Sequence, residues 1–139
     1  MRNKPAYIIS ALLILALACT PAPREAQQHL IKGINAMEAG ELDEAIKYFD
    51  KAAAADSTVA EAWYYQAVCL FNKDHKNAVA AVGCLSKAIE QDSAYAEAYT
   101  TRGEIRFYLG DHDGACRDWK AAFRLGKVNL RDKTKFCKE

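Results

Sequence analysis

Apolar side chains are distributed along the chain in two different ways. Residues 6–18 (AYIISALLILALA) form one apolar run, interrupted only by Ser10 and free of charge. From residue 26 onward, apolar positions recur among polar ones at helical spacing. Ala45, Phe49 and Ala52 stand at i, i+4 and i+7, one face of an α-helix. The same small–large–small triplet returns as Ala81, Leu85 and Ala88 and again as Ala115, Trp119 and Ala122, at intervals of 36 and 34 residues. AEAW at 60–63 and AEAY at 96–99 also stand 36 apart, and Gly33 and Gly103 stand 70 apart. Each copy predicts a helix–turn–helix pair. Gly40 and Gly110 end a first helix as left-handed caps, and Asp43 or Asp113 begins the second. Pro5, Pro21 and Pro23 all precede the array, so no helix of it contains an interior proline.

The N-terminal run has the form of an export signal. Arg2 and Lys4 give a basic start, and the thirteen-residue run that follows is short of the roughly 20 residues a bilayer span needs. It ends on small residues, as a secretory signal does, so residues 1–18 are expected to be removed. Ala16-Leu17-Ala18 fits ordinary signal cleavage. Ala18-Cys19 also resembles the lipobox of bacterial lipoproteins, with Ala16 where that motif usually has leucine. On the lipobox reading Cys19 carries lipid and becomes the mature N-terminus. Residues 19–25, with Thr20-Pro21-Ala22-Pro23-Arg24, then form a flexible tether. The expected address is the bacterial envelope, in the periplasm or on the outer membrane, with membrane contact through that lipid; the alternatives are a soluble periplasmic protein, if cleavage occurs without lipid, and an uncleaved anchor.

Composition narrows the function classes. Of 139 residues, 121 remain after the signal, enough for one small domain. The precursor has 19 basic and 18 acidic side chains; losing Arg2 and Lys4 leaves the mature chain at −1. No basic stripe suggests a nucleic-acid partner. His29, His75 and His112 fall on three separate elements without metal-ligand spacing, and no Cys-x-x-Cys, His-Glu-x-x-His or glycine-rich phosphate loop occurs. His75 and His112 read as solvated turn residues. No enzyme activity, catalytic residue, metal or cofactor is expected.

The array resembles the tetratricopeptide repeat family, whose units of about 34 residues carry W-x2-L-G-x2-Y, then A-x3-F, then P. The second copy has Trp63, Ala67 at the glycine position and Leu70 at the tyrosine position; the third has Tyr99, Gly103, Ala115 and Trp119; the first has Gly33, Ala45, Phe49 and Ala52, with His29 replacing the aromatic residue. Asp56-Ser57 and Asp92-Ser93 replace the family's Asp-Pro, and the middle copy has two extra residues, placed in the Asn72–Lys76 turn. The resemblance covers residues 26–129, in copies 26–59, 60–95 and 96–129. It implies an all-α, right-handed α-solenoid of three helix–turn–helix repeats. Residues 130–139 are expected to form a short capping helix, with Leu130, Phe136 and Cys137 facing the last repeat.

Four further cysteines, Cys69, Cys84, Cys116 and Cys137, allow three connectivities in an oxidising compartment. Cys116–Cys137 would staple the cap to the array and leave Cys69–Cys84 within one helical pair; four buried thiols are the alternative. In the resembled family the first helix of each pair lines a concave face that binds peptides or proteins. Here that places Leu30, Ile34 and Met37, then Tyr64, Val68 and Phe71, then Glu104, Phe107 and Tyr108 on an apolar, aromatic groove, with Gln27, Glu61, Glu97 and Thr100 beside them. Tyr64, Phe71, Phe107 and Tyr108 are its expected anchors. Leu30 and Ile34 occupy places where some subfamilies clamp a carboxylate, which argues against that mode. The expected function is a non-enzymatic interaction scaffold, monomeric alone, that holds a protein or peptide partner in assembly or transport. The alternative is an accessory subunit packed permanently in a larger envelope complex.

Overall fold

The computed structural model describes residues 21–135 and 137, and helices account for nearly all of the regular structure among them. The export run, Cys19 and Phe136 lie outside the described residues. The helices are α1 (Pro21–Glu38), α2 (Leu42–Ala55), α3 (Ala60–Lys73), α4 (Ala78–Gln91), α5 (Ala96–Tyr108), α6 (His112–Arg124) and the one-turn α7 (Arg131–Thr134). Short 3-10 turns at His75–Asn77 and Val128–Leu130 precede α4 and α7. Each helix packs on its neighbours in chain order, α1 on α2 through to α6 on α7. The result is an all-α solenoid of helical pairs.

The repeating triplets form its core. Ala45, Phe49, Ala52, Ala81, Leu85, Ala88, Ala115 and Ala122 are completely buried, and Trp119 nearly so. Each large member fills the space left by a small residue on the first helix of the pair. A β-carbon built on Gly33 would meet the Phe49 ring at 2.5 Å, and one on Gly103 would meet Trp119 Nε1 at 2.5 Å. The close approach of the two helices in these pairs therefore requires glycine. In the middle pair Ala67 takes that place, buried in the same cluster as the smaller Leu85.

The turns divide into two types. Gly40 and Gly110 adopt positive φ of 79° and 83°; the following amides, of Glu41 and Asp111, bond back to the carbonyls of Ala36 and Arg106 at 2.9 Å, closing the first helices as expected. Between repeats, where Asp-Ser replaces Asp-Pro, the aspartate side chain makes the turn itself. Asp56 Oδ1 accepts from the Thr58 amide at 3.0 Å and its hydroxyl at 2.6 Å, and Asp92 Oδ1 accepts from the Ala94 amide at 2.9 Å. Asp74 does the same for Lys76 at 2.9 Å in the two-residue insertion.

Several local expectations need correction. Asp43 and Asp113 lie inside the first turns of α2 and α6 and do not cap them. Asp111 caps α6 by accepting from the Gly114 amide at 2.9 Å, while Glu41 at the start of α2 makes no side-chain cap bond. Residues 21–25, assigned to a flexible tether, already belong to α1. Proline is compatible with a first helical turn, whose amides have no intrahelical acceptor, so Pro21 and Pro23 did not exclude this.

The glycine locks predict opposite outcomes for one substitution. Gly33→Ala should destabilise the fold by about 1–3 kcal/mol through overpacking against Phe49. Gly83→Ala, on an exposed part of α4 with open space around its β-position, should stabilise it by about 0.5–1 kcal/mol. Urea unfolding midpoints check both signs.

Candidate protein-interaction site

The nine residues expected to line the groove do not form one surface. Leu30 is only 5% exposed and belongs to the first core cluster. It is therefore core, not groove: the small Ala45, Ala52 and Ala62 in that cluster leave room for a branched side chain to pack inward. Ile34 and Met37 are half-buried against the same cluster. Val68 is half-buried on α3.

The aromatic residues separate into three groups. Tyr64 is half-buried, edge-on to Tyr65 at 5.2 Å and tilted against Tyr95 at 5.1 Å. Burial raises the Tyr95 phenol pKa, with the Tyr64 and Tyr65 phenols and Glu61 adding to the shift. Phe71, at the end of α3, stacks on His75 at 4.4 Å and meets Tyr108 edge-on at 5.5 Å. Phe107 packs against His112 at 4.7 Å and Trp119 at 5.7 Å. Phe107 and Tyr108 are 53% and 56% exposed at the end of α5, a conspicuous exposure for neighbouring aromatic residues.

His75, in the 3-10 turn before α4, and His112, the first residue of α6 and not a turn residue, thus contribute rings to the two exposed groups. Reading them as solvated turn residues missed this. Phe71 and His75 stand four residues apart, but Asp74 between them is extended (φ −157°), so the stacking comes from the 3-10 turn folding back on α3.

Beside Phe107, α5, α6 and α7 enclose a pocket of about 610 Å³ lined by Glu104, Phe107, His112, Cys116, Trp119, Asp132 and Lys133. Leu130 is buried against α6, and a Cys116–Cys137 disulfide holds the tail, its Cα atoms 5.5 Å apart. The cap is therefore stapled to the last repeat. Cys69 and Cys84, by contrast, are free thiols. Cys69 is buried in the first core cluster, whereas Cys84 packs on the second and lies 3.6 Å from Gln66 Oε1. The two side chains serve different layers, which explains why their position on one helical pair produces no bond.

A buried ion network supports this end of the array. Asp118 is only 3% exposed; it accepts from Arg102 Nε and Nη2 at 2.9 and 2.7 Å and from Arg106 Nη1 at 2.9 Å. Arg102 Nη1 also donates to Ser86 Oγ at 3.0 Å, tying the second repeat to the third. Among the described residues, no three His, Cys, Asp or Glu side chains converge as a metal site requires, and no helix is long and apolar enough to cross a membrane.

Residues 32–83 match the tetratricopeptide repeat family model. Solved structures extend the likeness over most of the chain. The first TPR of Spaghetti (RPAP3), bound to the HSP90 peptide SRMEEVD, is 23% identical, with 81% of this chain and 90% of that chain covered and a TM-score of 0.75. MamA is 28% identical over 78% of this chain and 63% of its own, with a TM-score of 0.71.

The fold is a tetratricopeptide-repeat solenoid.

The TPR domain of Arabidopsis OM64 agrees at 21% identity, covering 81% and 91% of the two chains with a TM-score of 0.73. No curated protein sequence matches the chain. No catalytic family is indicated by these repeat matches.

The described cysteines give a direct check on the middle repeat and on the cap. Burial pushes the Cys69 thiol pKa up to about 11, and burial also raises that of Cys84; both shifts reduce the reactive thiolate at pH 8. Iodoacetamide at pH 8 should leave Cys69 unlabelled in the folded protein and label both Cys69 and Cys84 after unfolding. Cys116 and Cys137 should react only after reduction, with sites assigned by peptide mass mapping.

Proposed function

We propose that this chain is a non-enzymatic interaction scaffold of the bacterial cell envelope, holding a protein or peptide partner on the aromatic face at the ends of α3 and α5. The observation that carries this reading is the neighbouring exposure of Phe107 and Tyr108, with Phe71 and His75 packed beside Tyr108. Aromatic anchors tend to dominate interface energies. The solenoid presents them on a rigid backbone, which reduces the ordering cost of binding. A solved neighbour with the same fold holds a peptide, which supports a peptide or protein as the class of partner.

The envelope address rests on the sequence. The apolar run at 6–18 and Ala18-Cys19 support export and lipid attachment at Cys19. Membrane anchoring through that lipid would present the solenoid beside a bilayer, where a role in assembly or transport of a partner fits. Intact mass of the protein extracted from membranes tests this: a lipid adduct on a chain beginning at Cys19 is expected, and an unmodified chain would contradict the anchor.

The partner face is tested by replacing Phe107 and Tyr108 together with alanine. Both are exposed, whereas Tyr64 is packed among other tyrosines and its loss would also disturb the fold. Partner capture from envelope extracts should fall at least about tenfold, as expected when two anchor residues of roughly 1 kcal/mol or more are lost, with helicity by circular dichroism unchanged. Val79→Ala, on the exposed side of α4, should capture normally. Equal capture by all three proteins would overturn this reading.

A further inference from the structure

The cap end of the face has a chemistry that the general reading leaves open. Its pocket of about 610 Å³ combines the Phe107, His112 and Trp119 rings with the Glu104 and Asp132 carboxylates. Of the described residues lining it, Lys133 alone carries a permanent positive charge. The Lys133 ammonium donates to Glu104 Oε1 at 2.5 Å and lies 5.4 Å from the centre of the Trp119 ring. A carboxylate and an indole face thus hold one alkylammonium between them, combining an ion pair with a cation–π contact.

Lys133 is a weakly committed occupant. It comes from the one-turn α7, and its side chain is 41% exposed. The pocket falls within the range of about 300–1,000 Å³ typical of ligand sites, and a single lysine does not fill it.

We propose that this pocket binds a lysine or arginine side chain of a partner peptide whose flanking residues are apolar, and that Lys133 holds its place in the free protein. The proposal rests on the face being a peptide-binding surface and specifies what that surface selects. Charge complementarity carries it: displacing Lys133 leaves Glu104 without its cation, whereas Asp132 stays paired with Lys135 at 2.6 Å, so an acidic residue entering the pocket would meet Glu104 as a like charge. The apolar flanks would pack against Phe107, which is half exposed.

A positional-scanning heptapeptide library, with each position fixed in turn as lysine, arginine, norleucine or glutamate, tests this on the full chain. The wild-type protein should prefer lysine or arginine over norleucine at one position by about tenfold, the combined scale of an exposed ion pair and a cation–π contact. Glu104→Gln should remove that preference while peptides are still bound. Lys133→Ala should bind the selected peptides about threefold more tightly, because an exposed internal competitor is gone. Both residues are solvent-accessible, and circular dichroism confirms that the variants remain folded. Equal binding of norleucine and lysine peptides, both lost in the Phe107→Ala, Tyr108→Ala double variant, would overturn the cation pocket and leave the peptide face standing. A preference for glutamate, or weaker binding by Lys133→Ala, would overturn it too. Concentration-dependent self-association of Lys133→Ala would identify a second copy of the chain as the occupant and also overturn it. Absence of peptide binding by every protein would overturn both readings.

Discussion

Close contact between a small residue on one helix and a large residue on its partner sets the geometry of this array. Gly33 faces Phe49 and Gly103 faces Trp119 at separations that leave no room for a β-carbon. The middle pair uses Ala67 with the smaller Leu85. These contacts set how closely the helices of a pair approach, and the alanines flanking each large residue are buried completely. Each pair buries its apolar face against its neighbours, so the contacts between pairs make the solenoid. The proposed interaction face inherits its position from them. Trp119 shows the connection most clearly, since it locks α6 to α5 while its ring also borders the pocket under Phe107.

The C-terminal end turns this geometry into a site. A solenoid needs a cap to cover its last apolar face. Among the described residues the cap consists of a 3-10 turn carrying the buried Leu130, the one-turn α7 and a disulfide. Described residues of this cap, Asp132 and Lys133, border a pocket with α5 and α6. The Arg102–Asp118–Arg106 network secures the same pair from its other contacts, joining α5, α6 and Ser86 of α4. Exposed aromatic residues at the end of α5 are therefore held by buried packing and buried charge. On the proposed reading, that combination would keep the surface ordered before a partner arrives.

Much of the fold was legible because its repeating unit is short and its core uses residues of sharply different size. The triplets ending in Ala52, Ala88 and Ala122 located the second helices, and Gly33 and Gly103 located the tight crossings. Side-chain direction was less legible. Leu30 occupies a groove register but turns into the core, because the alanines around it leave space that sequence spacing does not reveal. Cys69 and Cys84 share a helical pair yet belong to different core layers. Asp43 and Asp113 fell within two residues of true helix starts, a distinction that capping geometry decides. The Asp118 network was missed because Arg102, Arg106 and Asp118 meet only when two helices cross. The His75 ring was missed because a polar turn sequence conceals how the turn packs back on a helix, and His112 because it opens α6 and does not belong to the turn before it.

The central claim is that partners are held on the aromatic ends of α3 and α5 and not on the side of α4 that exposes Val79. Site-specific photocrosslinking in cells compares these directly, with the photoreactive residue placed at position 108 or at position 79 on α4. Position 108 should yield a discrete crosslinked partner that position 79 does not. The same products from both positions, or a product from position 79 alone, would contradict the account.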